Sequence, residues 1–378
     1  AFSGGSTSFA SGINNAGQVV GYAQYYSSTT NSYYDQAFLY SNGTMTDLGA
    51  LAGGASSFAT GINNNGQIVG YSNTSAGYTH AFLYSNGTMT DLGTFSGNTG
   101  SFNAYANGIN STGQIAGHSS TSSSAYEYNA FEYSGGTMTN LGTLGGSGSY
   151  GYAINNNGQV VGYSVNSSNE NHAFVYSGGA MTDLGTLGGS NSYARGINTN
   201  GQIVGAADTS GGSYNAFLYS GGKMTNLGTL SGYTNASVAY GINSSGDVVG
   251  ASENSAVGGQ GFDSFQAFLF NGTSMVDLNS LISPNSGWNL FQATAINDSG
   301  QIIGFGENSS GAYEAFLLTP IPVLYWNNHA GNGLWDINTS ANWNNVAGNV
   351  NPTTYSNSSG VYFDDAHNNG NYTLTLNT

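Results

Sequence analysis

The sequence contains no cysteine, which excludes disulfides, thiolate nucleophiles and sulfur-ligated metals. Its only basic side chains are Arg195 and Lys223, against 18 acidic ones, for a formal net charge of −16. Such a chain cannot neutralise a row of phosphates, so nucleic acid is excluded as a partner, and an anionic membrane surface with it. The same scarcity leaves almost no trypsin-type cleavage sites, which suits an extracellular or cell-surface setting. Proline occurs four times, twice within the most apolar stretch, Ala315 to Trp326. That stretch is too short to cross a bilayer, so no membrane insertion is expected. No signal sequence is visible at the start, and Ala1 reads as the mature end left after its removal.

Glycine, by contrast, is abundant, at 60 of 378 residues, alongside 38% apolar and 13% aromatic side chains. This much apolar surface offsets the entropy of ordering, so the chain is expected to fold despite its Gly, Ser and Asn content. The string SFATGINNNGQIVGYS at residues 57–72 comes back in six further versions. With the Ile of its GIN or AIN core as a ruler, the copies fall at Ile13, Ile62, Ile109, Ile154, Ile197, Ile242 and Ile296, spaced by 49, 47, 45, 43, 45 and 54. A mean period of about 47 residues lies in the range of propeller blades, and no segment carries a helical apolar period.

Each unit reads as four short strands, in the third unit SFNAYANGIN, QIAGH, NAFEY and TMTNL. The turns between them carry glycine, which supplies the positive φ that tight antiparallel hairpins need. A strand such as HAFLY is apolar on both faces, Leu83 on one and Phe82 and Tyr84 on the other, so its sheet must be covered on both sides, as blades are. The small strand Ala59-Thr60-Gly61-Ile62 fits the crowded inner edge. The expectation is an all-β fold: a seven-bladed β-propeller of four-stranded antiparallel blades over residues 1–319, with a small C-terminal β extension over 320–378. A β-solenoid is the alternative, though its coils are usually shorter.

The search for chemistry turns up little. Met45, Met89, Met138, Met181, Met224 and Met275 share one place in six units and read either as soft metal ligands or, in preference, as gap-filling thioethers between blades. Two residues on stand Asp47, Asp91, Asn140, Asp183, Asn226 and Asp277, whose recurrence favours local backbone hydrogen bonds over a cation ring. His80 and His172 hold corresponding positions and read as loop-edge residues, while His118, His329 and His367 are scattered. No HExxH or GxSxG motif occurs, so no catalytic, cofactor or metal residue is assigned. Asp364-Asp365 permits at most a weak surface calcium site. Paired carboxylates for glycoside cleavage would have to come from Glu127, Glu132, Glu170, Glu253, Glu307 or Glu314. A better lead is the set of tyrosines between second and third strands, Tyr25, Tyr26, Tyr33, Tyr34, Tyr126 and Tyr128, as glycan or partner contacts.

The strings His80-Ala81-Phe82 and His172-Ala173-Phe174, with TDLGTLGGSNSYARGINTNGQIVG, resemble the HAF repeat family of bacterial extracellular proteins over about residues 1–319. That resemblance implies an exported protein, with a propeller expected and no catalytic residues to carry over. The tail, with Trp326, Trp335, ANWNN and VYFDDAHNNGNYTLTL, resembles the opening of autotransporter-associated β-strand repeats.

Counting strands leaves the seventh unit one short, because Pro320 and Pro322 stand where its Met-bearing strand should begin. Residues 371–377 offer a donor strand, with Tyr372, Thr373, Leu374, Thr375 and Leu376 as self-assembly residues, since an unpaired edge invites a partner. The donor would act within its own chain or in the next one. These readings lead to a non-enzymatic extracellular structural or adhesive protein, a surface or matrix filament subunit joined head to tail by its C-terminal strand. A homo-oligomer or filament is the expected partner state, with polysaccharide as a further partner. A glycan-binding propeller and a polysaccharide-cleaving enzyme are the alternatives.

Overall fold

The computed structural model describes residues 2, 4–95, 102–122, 127–233, 236–253 and 264–320, together with three short strands of the tail. The chain divides into two compact units, Ala1–Leu318 and Thr319–Thr378. The first is the expected seven-bladed β-propeller. Its blades occupy residues 8–47, 57–93, 104–140, 145–183, 188–228, 237–277 and 289–318. In each, consecutive strands pair antiparallel; six blades have four strands, and the seventh has three among the described residues. In the second unit Val323–Trp326 pairs antiparallel with Trp343–Asn345 and parallel with Gly360–Tyr362.

The signature string explains its own fold. In the second blade Ser57–Ile62 ends at Asn63, whose Oδ1 accepts from the backbone N–H groups of Asn65 and Gln67, both at 3.0 Å. Gly66 then takes φ +76° and the chain turns back as Ile68–Asn73. This is an Asx-type turn, in which a short amide replaces backbone hydrogen bonding where the strand ends. The glycine of the returning strand is sterically required: a Cβ on Gly70 would lie 2.0 Å from Phe58 O, and one on Gly162 would lie 1.8 Å from Tyr150 O.

The first strands of neighbouring blades pack on one another around the axis, as the small inner-edge strand suggested. Each contains a register shift, in the second blade between Ala59 and Gly61, so Thr60 is a bulge residue. The same shift flanks Ser11, Asn107, Tyr152, Arg195, Tyr240 and Thr294.

Seven apolar clusters fill the seven interfaces between blades. Phe82 and Tyr84 pack toward the first blade with Val20, Ala37 and Ile68, and Leu83 packs toward the third with Ala104, Ile115 and Phe131. The six methionines each pack against one such cluster. Their Asp or Asn neighbours bond local backbone: Asp47, Asp91, Asn140, Asp183 and Asn226 each accept from a glycine N–H two residues on, at 2.7–2.8 Å, and Asp277 accepts from Asn279 N.

The interface between the last and first blades is built like the others. Asn297 Nδ2 donates to Asn14 O (3.0 Å), Thr294 Oγ1 to Ala10 O (2.8 Å) and Ala315 N to Ser8 Oγ (3.1 Å), over a cluster of Ala10, Val19, Ala23, Phe38 and Ile303.

One substitution tests the turn amide. Asn155 Oδ1 accepts from Asn157 N and Gln159 N, and its Nδ2 donates to Gln159 Oε1 and to Asn198 O of the next blade. Asn155→Ala strands these groups and should lower the unfolding free energy by about 2–4 kcal/mol. The exposed Asn64→Ala serves as the control in urea denaturation; equal losses from both would contradict the assignment.

Candidate functional site

Three rings of side chains follow one another down the axis. At the mouth are seven buried turn asparagines, each donating Nδ2 to the backbone carbonyl of its counterpart in the next blade: Asn14 to Asn63, then Asn110, Asn155, Asn198, Asn243, Asn297 and back to Asn14, at 2.9–3.4 Å. The residues that follow them complete a polar funnel of about 200 Å³. Its one carboxylate, Asp298, accepts from Ser244 N (2.9 Å) and Asn15 Nδ2 (2.7 Å). Burial pushes its pKa up, but these hydrogen bonds outweigh burial and hold it below the ordinary carboxylate value. Asp298 is therefore an ionised structural acceptor, unsuited to act as a general acid.

Beneath the mouth lies the ring of isoleucines, and beneath that the bulge residues. Bulges re-aim side chains, and here blades differ. Thr60, Asn107 and Thr294 tie down the neighbouring inner strand, donating to Ala106 O (2.8 Å), Gly151 O (2.7 Å) and Ala10 O (2.8 Å). The fourth, fifth and sixth blades carry Tyr152, Arg195 and Tyr240 instead. The Arg195 guanidinium sits 4.5 Å over the Tyr152 ring, and its Nε is buried without a hydrogen-bond partner. Burial raises the pKa of Tyr240, Tyr163 and Tyr214 despite the nearby Arg195 charge, so these phenols stay neutral.

An aromatic belt runs beside this ring. Rings stack within a blade and meet edge-on across blades: Phe9–Tyr22 (5.0 Å), Tyr22–Phe58 (4.9 Å), Phe58–Tyr71 (4.9 Å), Tyr71–Tyr105 (5.0 Å), Tyr105–His118 (4.9 Å). Beyond His118 it continues through Tyr150, Tyr163 and Tyr193 to Tyr214. Ala206 and Ala251 then stand where other blades have the ring of the second strand. His118 takes a tyrosine's place in the belt. Burial among Tyr105, Tyr128 and Tyr150 pushes its pKa down from 6.5 to about 3.

The residues singled out in the sequence fall elsewhere. Tyr25 and Tyr34 pair across a long hairpin, as do Tyr26 and Tyr33, with ring centroids 5.8 and 5.1 Å apart. They sit on extended strands, and Tyr33 is 59% exposed. Tyr128 is packed in the belt against His118. His80 and His172 are strand residues tied to the acid of the fourth strand, His80 Nδ1 to Asp91 (2.9 Å) and His172 Nδ1 to Asp183 (2.7 Å), which corrects the loop-edge reading. The glutamates are dispersed over the third, fourth, sixth and seventh blades. No group of three His, Asp or Glu that could hold a metal occurs among the described residues. Tyr126, His329, Asp364, Asp365, the donor strand 371–377 and its Tyr372, Thr373, Leu374, Thr375 and Leu376 lie outside the described residues. An apolar cleft of about 560 Å³ lies at the seam of the last and first blades, lined by Phe38, Met45, Trp288 and Phe316 among others. The bulge ring was missed in the sequence, although one signal was there: between Ala and Gly of the signature the residue changes from blade to blade.

No protein-family model and no curated protein matches the chain. Solved structures do. An acylaminoacyl peptidase of Pyrococcus horikoshii matches at 9% identity and TM-score 0.52, over 82% of this chain and 51% of that one. A puromycin-hydrolysing peptidase of Mycobacterium tuberculosis matches at 12% and 0.55, over 82% and 50%. The propeller domain of the Trilobed protease of Pyrococcus furiosus, described as having an open velcro topology, matches at 11% and 0.51, over 82% and 92%. The chain spans about half the length of the two whole peptidases. At these identities the likeness shows the propeller fold alone.

These comparisons correct the expectation of a structural or adhesive filament subunit, since the three similar structures named above are peptidases or a protease propeller domain. The strand count behind that expectation stands, with three strands in the seventh blade among the described residues, while the last blade bonds the first within one chain on the inner strands. Tyr25, Tyr26, Tyr33 and Tyr34, singled out as glycan contacts, pair with each other on one hairpin, and the glutamates singled out for glycoside cleavage are spread over four blades.

His118 supplies a pH test. Its folded pKa is depressed, so its neutral form contributes stability that is fully present above the unfolded value near 6.5 and is lost as pH falls toward 3. His118→Tyr, the residue of the neighbouring blades, should flatten the fall in melting temperature between pH 6.5 and about 3. An unchanged slope would show that another group sets it.

Proposed function

We propose that this chain is a non-catalytic binding propeller that takes up a polypeptide segment at its axial channel. The observation that carries the reading is the break in sevenfold repetition at the bulge ring. Residues that only hold blades together recur around the ring, as the turn asparagines do. Tyr152, Arg195 and Tyr240 depart from that rule on three consecutive blades. They bring the hot-spot side chains of interfaces, Tyr and Arg, onto the innermost strands. Polypeptides are the first ligand class to test, because the similar propellers belong to peptidases. The lack of catalytic action is supported by the commitment of the mouth's polar groups to neighbouring blades.

The same reading takes the units as HAF-type repeats and the setting as extracellular, supported by the HAF strings and the two basic residues. Fractionation of producing cells checks the setting; recovery only from cytosol would oppose it.

Calorimetry with a mixed peptide library, run beside a chromatographic assay for hydrolysis, tests the function. Binding without cleavage is expected. Replacing Tyr152→Ser and Tyr240→Thr, the kinds of residue present on the first and last blades, should weaken binding at least tenfold. An Asp47→Ala change on an outer strand should leave it unaltered. Cleavage of the peptides, or binding indifferent to the axial pair, would overturn the proposal.

A further inference from the structure

The two cations of this chain differ in setting. Lys223 is exposed at the start of an outer strand. Arg195 is half-buried on an innermost strand, at a bulge, in a molecule of net charge −16. Among the described residues it has no carboxylate partner: the ion pairs there are those of His80 and His172 with Asp91, Asp183 and Glu170. It sits over the face of Tyr152, and its Nε is buried with no acceptor among the described residues. An Nε–H withdrawn from water without an acceptor carries an uncompensated desolvation cost, which an apolar side chain at this place would not have.

We propose that Arg195, with Tyr152 and Tyr240 on either side, is a binding site for a carboxylate in the axial channel. The planar carboxylate matches the guanidinium fork, and a phenol hydroxyl can donate to it as well. The bulge positions of the first and second blades hold the small residues Ser11 and Thr60. A single cation in a strongly acidic molecule favours a monoanion over a phosphate dianion, which would call for more positive charge. The carboxylate belongs either to a small organic acid or to the C-terminus of a polypeptide. In the second case the inference rests on the polypeptide-binding reading above.

Titration calorimetry on the unmodified protein separates these outcomes, with N-acetyl-Ala-Ala-Tyr as free acid and as amide, and benzoate against benzamide. The expected result is that an acid binds at least tenfold more tightly than its amide. Arg195→Gln should reduce the acid to the level of the amide, and Arg195→Lys should keep part of the difference. Preference for the peptide acid assigns the site to polypeptide C-termini; binding of benzoate alone assigns it to small acids and removes the polypeptide reading. Equal binding of peptide acid and amide would overturn the carboxylate site while leaving the polypeptide reading in place, and no binding by any probe would overturn both. Because the acid-against-amide comparison uses the unmodified protein, it holds even if Arg195→Gln fails to fold.

Discussion

The structure depends on one hydrogen bond made seven times: a buried asparagine Nδ2 donated to the backbone carbonyl of the next blade's asparagine. The series returns from Asn297 to Asn14 and so closes on itself. The same side chain uses its Oδ1 to hold its own turn, so local and interblade structure form together. Buried amides are expensive unless fully partnered, and this arrangement satisfies both ends of each one. Sequence spacing between copies can vary, from 43 to 54 residues, because the added length lies outside the ring.

Closure follows from that constraint. With three strands in the last blade among the described residues, the inner strands carry the seam. Thr294 and Asn297 reach the first blade on the axis, Ala315 reaches Ser8 between the blades, and Phe305 stacks edge-on to Phe9 at 5.3 Å. At the seam, among the described residues, an apolar cleft of about 560 Å³ lies beside Trp288 and Phe316.

Repetition and its interruption divide structure from function. Alanine in the third strand, glycine in the second and asparagine at the turn recur because each answers a packing or hydrogen-bonding demand that every blade repeats. The bulge position faces no such uniform demand. Four blades fill it with small polar side chains, three of which hydrogen-bond a neighbour, and three fill it with large ones. The aromatic belt shows the same logic in reverse, running nearly continuously until Ala206 and Ala251 interrupt it near Arg195.

Much of the fold was legible in the sequence because its determinants are local and repeated. The Asn-x-x-Gly turns, the two-faced HAFLY strand and the spacing of the isoleucines together determined seven antiparallel blades, and the recurrence of Met and Asp marked them as structural. Other features were not legible. His80 looked like a loop residue until its strand placed it against Asp91, 11 positions along the chain. The tyrosines of the first blade contact each other because Tyr25 and Tyr34 fall opposite in one hairpin register. The sequence by itself determined what each blade is; only the tertiary structure decided what the blades make together. Residues as far apart as Tyr152 and Tyr240 share Arg195 as a neighbour only because successive inner strands pack around one axis, and no local pattern encodes that proximity.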